Sequence, residues 1–275
     1  MLNGLTGDEM KKSLLPGVAT LLAFVLLVSL GTWQVRRMAW KTALIENLHK
    51  RLDQPPVALQ EVINRFHKNA SVEYQPVTVR GTFLHKTEKH LYALDDKGRP
   101  GWHIYTLMEL KGSDCASCQN RNRFVYVNRG FVPYELKNRG KRPQGQVSAK
   151  VEFIGLVRIP RTGKSYGEAN NNPGKNEWYW PSLKEMSSMD AGISTEQAAQ
   201  LVPFFVDERK QVKVPGKYFG KYDGKFYKWP RAGVTRINIA NRHLGYVITW
   251  YGLALALLGV YGFFVYGNKR RNTGD

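Results

Sequence analysis

"NRHLGYVITWYGLALALLGVYGFFVYGNKRR", residues 241–271, carries no formal charge from Leu244 to Asn268. About 20 consecutive apolar residues cross a bilayer as a helix, so the stretch predicts a transmembrane helix over 243–267. Tyr261, Phe263, Phe264 and Tyr266 gather toward its far end, and Lys269, Arg270 and Arg271 close it, the pattern of a membrane–water interface. A second stretch, LLPGVATLLAFVLLVSLGTWQV, predicts another helix over 14–35. It ends in Trp33 and Gln34 before Arg36-Arg37. Lys11-Lys12 precede it, but the run is longer than a signal peptide's and no small-residue cleavage site ends it, so a retained span is expected. The 275 residues are 43% hydrophobic, yet the mean hydropathy is −0.41. Apolarity is therefore concentrated in these two stretches. Gly252 with Ala256, and Ala19 with Ala23, are small-xxx-small pairs of the kind that let membrane helices approach.

Two spans put both tails on one side. Lys11, Lys12 and Lys269–Arg271 favour the cytoplasm for that side, whereas Arg36, Arg37 and Lys41 pull the other way. Everything between, 36–242, reads as an extramembrane region rich in strands. Pro76–Phe83 alternates apolar and polar residues; Trp102–Leu110, Arg123–Val132 and Lys150–Ile159 are further β-rich runs. DDKGRPG (95–101) and NRGKRPQGQ (138–146) supply turns, and Asp223-Gly224 is a two-residue hairpin signal. Leu44, Leu48 and Leu52 recur at every fourth position and extend the first helix beyond the membrane. Ser182–Met189 and Thr195–Val202 read as short capped helices, and Gly163–Lys175 as a polar loop. The fold class expected is a membrane protein of α+β type, two transmembrane helices flanking an antiparallel β-rich domain.

The net charge of +19 invites a nucleic-acid reading. The basic residues are spread along the chain without an aromatic-interleaved cluster, so no nucleic-acid partner is expected; positive charge beside a membrane suits anionic lipid or an acidic partner instead. Cys115 and Cys118, the only cysteines, have C-x-x-C spacing. Gln119 follows, so this is not a haem-attachment motif, and GSDCASCQNRN lies between two strand-like runs. A structural loop pair, a redox pair and a copper site all remain open. No hydrolase, zincin or phosphate-loop motif is present.

His243 stands apart from the other five histidines, which are scattered through polar surroundings. On a helix, His243, Tyr246 or Val247, Trp250 and Ala254 fall on one face. An imidazole with an indole two turns deeper suits a planar apolar cofactor such as haem. The residues alone leave a second reading open, a polar side chain at the interface with Trp250 merely packed.

The chain resembles the Surfeit locus protein 1 family along nearly its whole length. The resemblance is carried by LGTWQVRRMAWK (Leu30–Lys41), by Tyr74–Val77 with Gly81–Phe83, by VNRGFVP (Val127–Pro133), by Asn172-Pro173 with Trp178–Trp180, and by NRHLGYVITWYGLA (Asn241–Ala254). The C-x-x-C insertion is not a hallmark of that family, and Arg242 stands where a second Asn is common. What the resemblance implies is a non-enzymatic assembly factor for haem-copper terminal oxidase. Such a factor holds or delivers haem a for oxidase subunit I, beside haem a synthase. His243 would then ligate the haem iron, with Trp250, Tyr246 and Arg36 around the cofactor. Asp8 and Glu9 argue against a mitochondrial transit peptide. The expected location is a bacterial inner membrane, with both termini cytoplasmic and the central domain periplasmic. The alternatives are a scaffold that stabilises an oxidase intermediate without haem, and a copper or thiol chaperone using Cys115 and Cys118.

Overall fold

The structure, a computed structural model, describes residues 7–110, 123–188, 193–209, 220–222, 225–227, 229–233 and 241–272. The chain divides into two compact units, residues 1–47 with 238–275, and residues 48–237.

The first unit is a pair of helices. Helix α1 runs over Gly7–Leu52, so the extension expected from Leu44, Leu48 and Leu52 is present; the last helix covers His243–Asn272. Both are long and apolar enough to cross a membrane. On α1, Gly17, Thr20, Phe24, Leu27, Gly31, Gln34 and Met38 are wholly or partly buried, at alternating steps of three and four. On the last helix the same steps connect His243, Val247, Trp250, Ala254, Leu257 and Tyr261. That is the seam of two antiparallel helices packed with coiled-coil spacing. Residues off the seam, such as Leu22, Val25, Ile248 and Leu255, are apolar and exposed, which suits lipid contact. The seam corrects the small-xxx-small expectation. Gly252 faces open space and Ala256 is exposed. The close approaches are made instead by Gly17, where an added Cβ would sit 2.9 Å from the Tyr261 hydroxyl, and by Gly31, where it would sit 3.0 Å from the Tyr251 ring.

The second unit is a β-barrel. Its elements in order are β1 (Val57–Ala58), α2 (Leu59–His67), β2 (Pro76–Phe83), β3 (Lys89–Leu94), β4 (Pro100–Leu110), β5 (Phe124–Pro133), β6 (Val151–Arg158), β7 (Glu177–Trp178), α3 (Leu183–Met186), α4 (Thr195–Ala199) and β8 (Leu201–Glu208). Strands β2, β6, β8, β5 and β4 pair in a circuit that β2–β4 pairing closes. Closure leaves these five strands without a free edge. Most ladders are antiparallel as expected, but β1–β2, β3–β7 and β5–β8 are parallel, so the sheet is mixed. A parallel pair needs a long crossover, and the chain from β5 to β8 supplies one.

Alternation sorts the side chains. Val77, Val79, Val125, Val127, Phe204 and Val206 fill the barrel, and Leu59, Val62 and Ile63 of α2 pack on the same core. The opposite faces of β4, β5 and β8 carry Tyr105, Tyr126 and Phe205, packed with Trp178, Met186 and Ile193. The Tyr126 hydroxyl donates to the Met186 carbonyl at 2.8 Å. Strand β5 is buried on both faces over its whole length, which is why FVYVNRGFV lacks an alternating pattern.

The helix expected over Thr195–Val202 stops at Ala199, because Leu201 and Val202 enter β8, where Val202 is buried. Its start is fixed by a capping box between Ser194 and Gln197. Strands β9 (Gly220–Tyr222) and β10 (Lys225–Tyr227) pair antiparallel with Lys225 opposite Tyr222, while Asp223-Gly224 between them lie outside the described residues. Cys115 and Cys118 lie outside them as well.

Candidate functional site

The helix pair places a partly buried polar contact in its apolar seam. Gln34, near the end of the uncharged run of α1, is 8% exposed. Its Oε1 lies 2.8 Å from Nδ1 of His243, the first residue of the last helix, which we label α5. An amide oxygen can only accept, so the contact favours the tautomer with its proton on Nδ1 and the Nε2 lone pair free. Neighbouring contacts hold the register. Thr32 Oγ1 and the Tyr251 hydroxyl are 3.1 Å apart, and Asn241 donates through Nδ2 to Thr42 Oγ1 at 3.2 Å.

Trp250 continues the seam two turns along α5 and is half-buried, like His243. Its Nε1 is buried with no hydrogen-bond partner among the described residues. Tyr246 is 56% exposed and lies off the seam, where Val247 takes the inward position. Arg36 is exposed on α1. The next residue, Arg37, places its guanidinium 4.2 Å from the centre of the Trp40 ring, a cation–π contact. The structure thus joins His243 to Gln34 and aligns Trp250 with them, while Tyr246 and Arg36 stand to the side. Sequence reasoning missed Gln34. Its signal was an amide inside a bilayer-length apolar run, a position where a polar group needs a partner.

In the barrel, VNRGFVP proves to be a structural device. The β4–β5 register shifts between His103–Phe131 and Tyr105–Asn128, so Arg129 and Gly130 together oppose Ile104. This is a β-bulge. Asn128 Oδ1 accepts from the Gly130 N–H at 3.0 Å, and Gly130 has φ of +109°. Buried Arg129 donates to the Gly145 carbonyl and lies over the Phe83 ring at 4.4 Å. Burial draws its guanidinium down to about 10, so it stays charged at neutral pH. Nearby, Arg142 forms a buried ion pair with Glu88, which His90 also contacts at 2.9 Å. Burial by itself would raise the Glu88 carboxyl, but the bonds from His90 and Arg142 outweigh it and hold it below the usual range.

A cavity of about 470 Å³ opens on the outer face of the barrel, lined by His103, Tyr105, Asn128, Arg158, Arg161 and Asp207 with apolar neighbours. Both arginines already face carboxylates. Arg158 is 3.1 Å from Glu73 and 3.8 Å from Asp207, and Arg161 is 2.9 Å from Glu168. The wall is charge-matched within the protein. Among the described residues, no group of three or more His, Cys, Asp or Glu is arranged to hold a metal ion.

Two antiparallel apolar helices bracketing a β-barrel unit in the sequence define an α+β membrane protein, with the partly buried Gln34–His243 contact among the polar links between its helices. Comparison with known sequences narrows this class. The SURF1 family profile matches residues 21–255, and the chain belongs to that family. It is 33% identical over 235 residues to Surfeit locus protein 1 of Xenopus tropicalis, covering 83% of this chain and 68% of the relative. Against the Homo sapiens protein of the same name it is 34% identical, covering 82% and 70%. A SURF1-like protein of Monosiga brevicollis is 29% identical, covering 87% and 83%.

Proposed function

We propose that the protein is a non-enzymatic assembly factor for haem-copper terminal oxidase that holds haem a for insertion into oxidase subunit I, beside haem a synthase. Family membership supports the assembly role. The observation that carries the haem reading is the 2.8 Å contact from Gln34 to Nδ1 of His243. Metal-bound histidines commonly donate their second N–H in this way, leaving the other nitrogen for the metal. Haem suits a single histidine, because its iron already has four porphyrin nitrogens and asks the protein only for axial ligation.

In this reading Nε2 of His243 would hold the haem iron. Trp250 offers an apolar ring along the same seam and a buried indole N–H still open to an acceptor. Arg36, exposed on α1, could pair with a propionate carboxylate as guanidinium does, and Tyr246 would flank the cofactor from the exposed side. Haem is too apolar to release into water, so transfer between adjacent membrane helices avoids that step. We place the protein in a bacterial inner membrane with the barrel in the periplasm, in line with the basic tails. Reporter fusions at Asp275 and within Gly163–Lys175 should then give opposite signals, and a cytoplasmic signal from the loop would overturn this topology.

The detergent-solubilised protein, purified after expression with ample haem a, should show a Soret band. His243→Ala should abolish or strongly shift it while membrane insertion persists. An unchanged spectrum and stoichiometry in His243→Ala would move the ligand elsewhere, and no Soret band in the parent protein would favour a haem-free scaffold.

A further inference from the structure

We infer that Gln34 is a positioning residue that sets the tautomer of His243 and tunes its strength as an iron ligand, a deepening that rests on the haem reading above. A free imidazole prefers its proton on Nε2, the nitrogen that ligation from α5 needs bare. Gln34 reverses that preference. Its Oε1, 2.8 Å from Nδ1, accepts a hydrogen bond from Nδ1–H and so favours the tautomer that leaves the Nε2 lone pair free. The amide is held for the task, since Gln34 is 8% exposed and an apolar surrounding makes a lost partner costly. The seam also fixes its height. Gly31, one turn before Gln34, lets the Tyr251 ring approach, and Thr32 meets the Tyr251 hydroxyl at 3.1 Å. Helix α5 therefore cannot turn His243 away without breaking these contacts.

An interhelical hydrogen bond can also be simple adhesion between membrane helices. Adhesion and positioning differ in what they make His243 do. An accepting second partner raises the basicity of a ligating histidine. A carboxylate in place of the amide raises it further, favours ferric iron and lowers the midpoint potential. An apolar side chain of similar length does the reverse.

Two measurements test this. In the haem-free solubilised protein labelled with ¹⁵N-histidine, His243 should show a protonated Nδ1 and a bare Nε2; Gln34→Met should shift it toward protonated Nε2. In protein loaded with haem a, Gln34→Glu should lower the midpoint potential and Gln34→Met should raise it, with haem retention about tenfold or more weaker in Gln34→Met. An unchanged tautomer in Gln34→Met, or potentials moving in the same direction in both variants, would overturn the inference. Should the parent protein bind no haem a, the functional reading falls, while the ¹⁵N measurement still decides the tautomer.

Discussion

The Arg231 carbonyl occupies the space that a side chain on Gly130 would need. The flanking backbones are tied by reciprocal hydrogen bonds, Phe131 N–H to the Arg231 carbonyl at 3.1 Å and Arg231 N–H to the Phe131 carbonyl at 2.9 Å. Gly130 also has φ of +109°, a conformation that side chains resist. Gly130→Ala should therefore cost about 3 kcal/mol, since backbone strain and overlap act together. Gly98, at φ of +77° with nothing near its Cβ position, is the control; Gly98→Ala should cost about 1 kcal/mol from conformation alone. Denaturant unfolding followed by tryptophan fluorescence measures both, and equal losses would refute the role of Arg231.

The buried pair of Glu88 and Arg142 leads to a second expectation. Both side chains are almost wholly enclosed. Arg142→Met should destabilise the barrel by roughly 3–5 kcal/mol, because it strands a buried carboxylate. Adding Glu88→Gln should recover part of that loss, as measured in a double-variant cycle. Simple additivity of the two losses would mean that the ion pair contributes no coupling.

His103 should make stability depend on pH. Burial pushes its imidazole down to about 4, with a hydrogen bond to Asn128 opposing only weakly. Between 6.5 and about 4 the unfolded chain binds a proton that the folded chain refuses, so stability falls as pH drops through that window. His103→Gln should flatten the slope there. His85, also lowered by burial, should leave a residual slope. An unaltered profile in unfolding experiments from pH 7 to pH 4 would show that His103 is protonated in the fold.

Gly31 on the seam and Gly252 off it separate two kinds of helix surface. Gly31→Val would drive a methyl into the Tyr251 ring and should cost about 2 kcal/mol of overpacking, with loss of the His243–Gln34 contact. Gly252→Val should be close to neutral, since nothing lies within 4 Å. Thermal unfolding in detergent, compared for the two variants, checks this; a larger loss for Gly252→Val would restore the small-xxx-small face as the contact surface.

The sequence by itself determined the features that depend on neighbours along the chain. Uninterrupted apolar runs defined both long helices, because a bilayer-length stretch without charge has one stable home. Strict alternation defined β2 to the residue, Pro76–Phe83. Strand β5 was found by its β-branched and aromatic content, but the bulge at Arg129-Gly130 was hidden, since a register shift is a property of two strands. The short strands β3 and β7 escaped because their patterns are too brief to rise above loop composition. The shared helix face of His243 and Trp250 was legible from helical spacing, whereas Gln34 was not assigned a role. Its significance depends on which face of α1 meets α5, and only heptad packing of the pair decides that. Barrel closure and the parallel β5–β8 pairing were likewise tertiary decisions. Both join segments far apart in sequence, so the energy that selects them comes from a shared core rather than from any local preference.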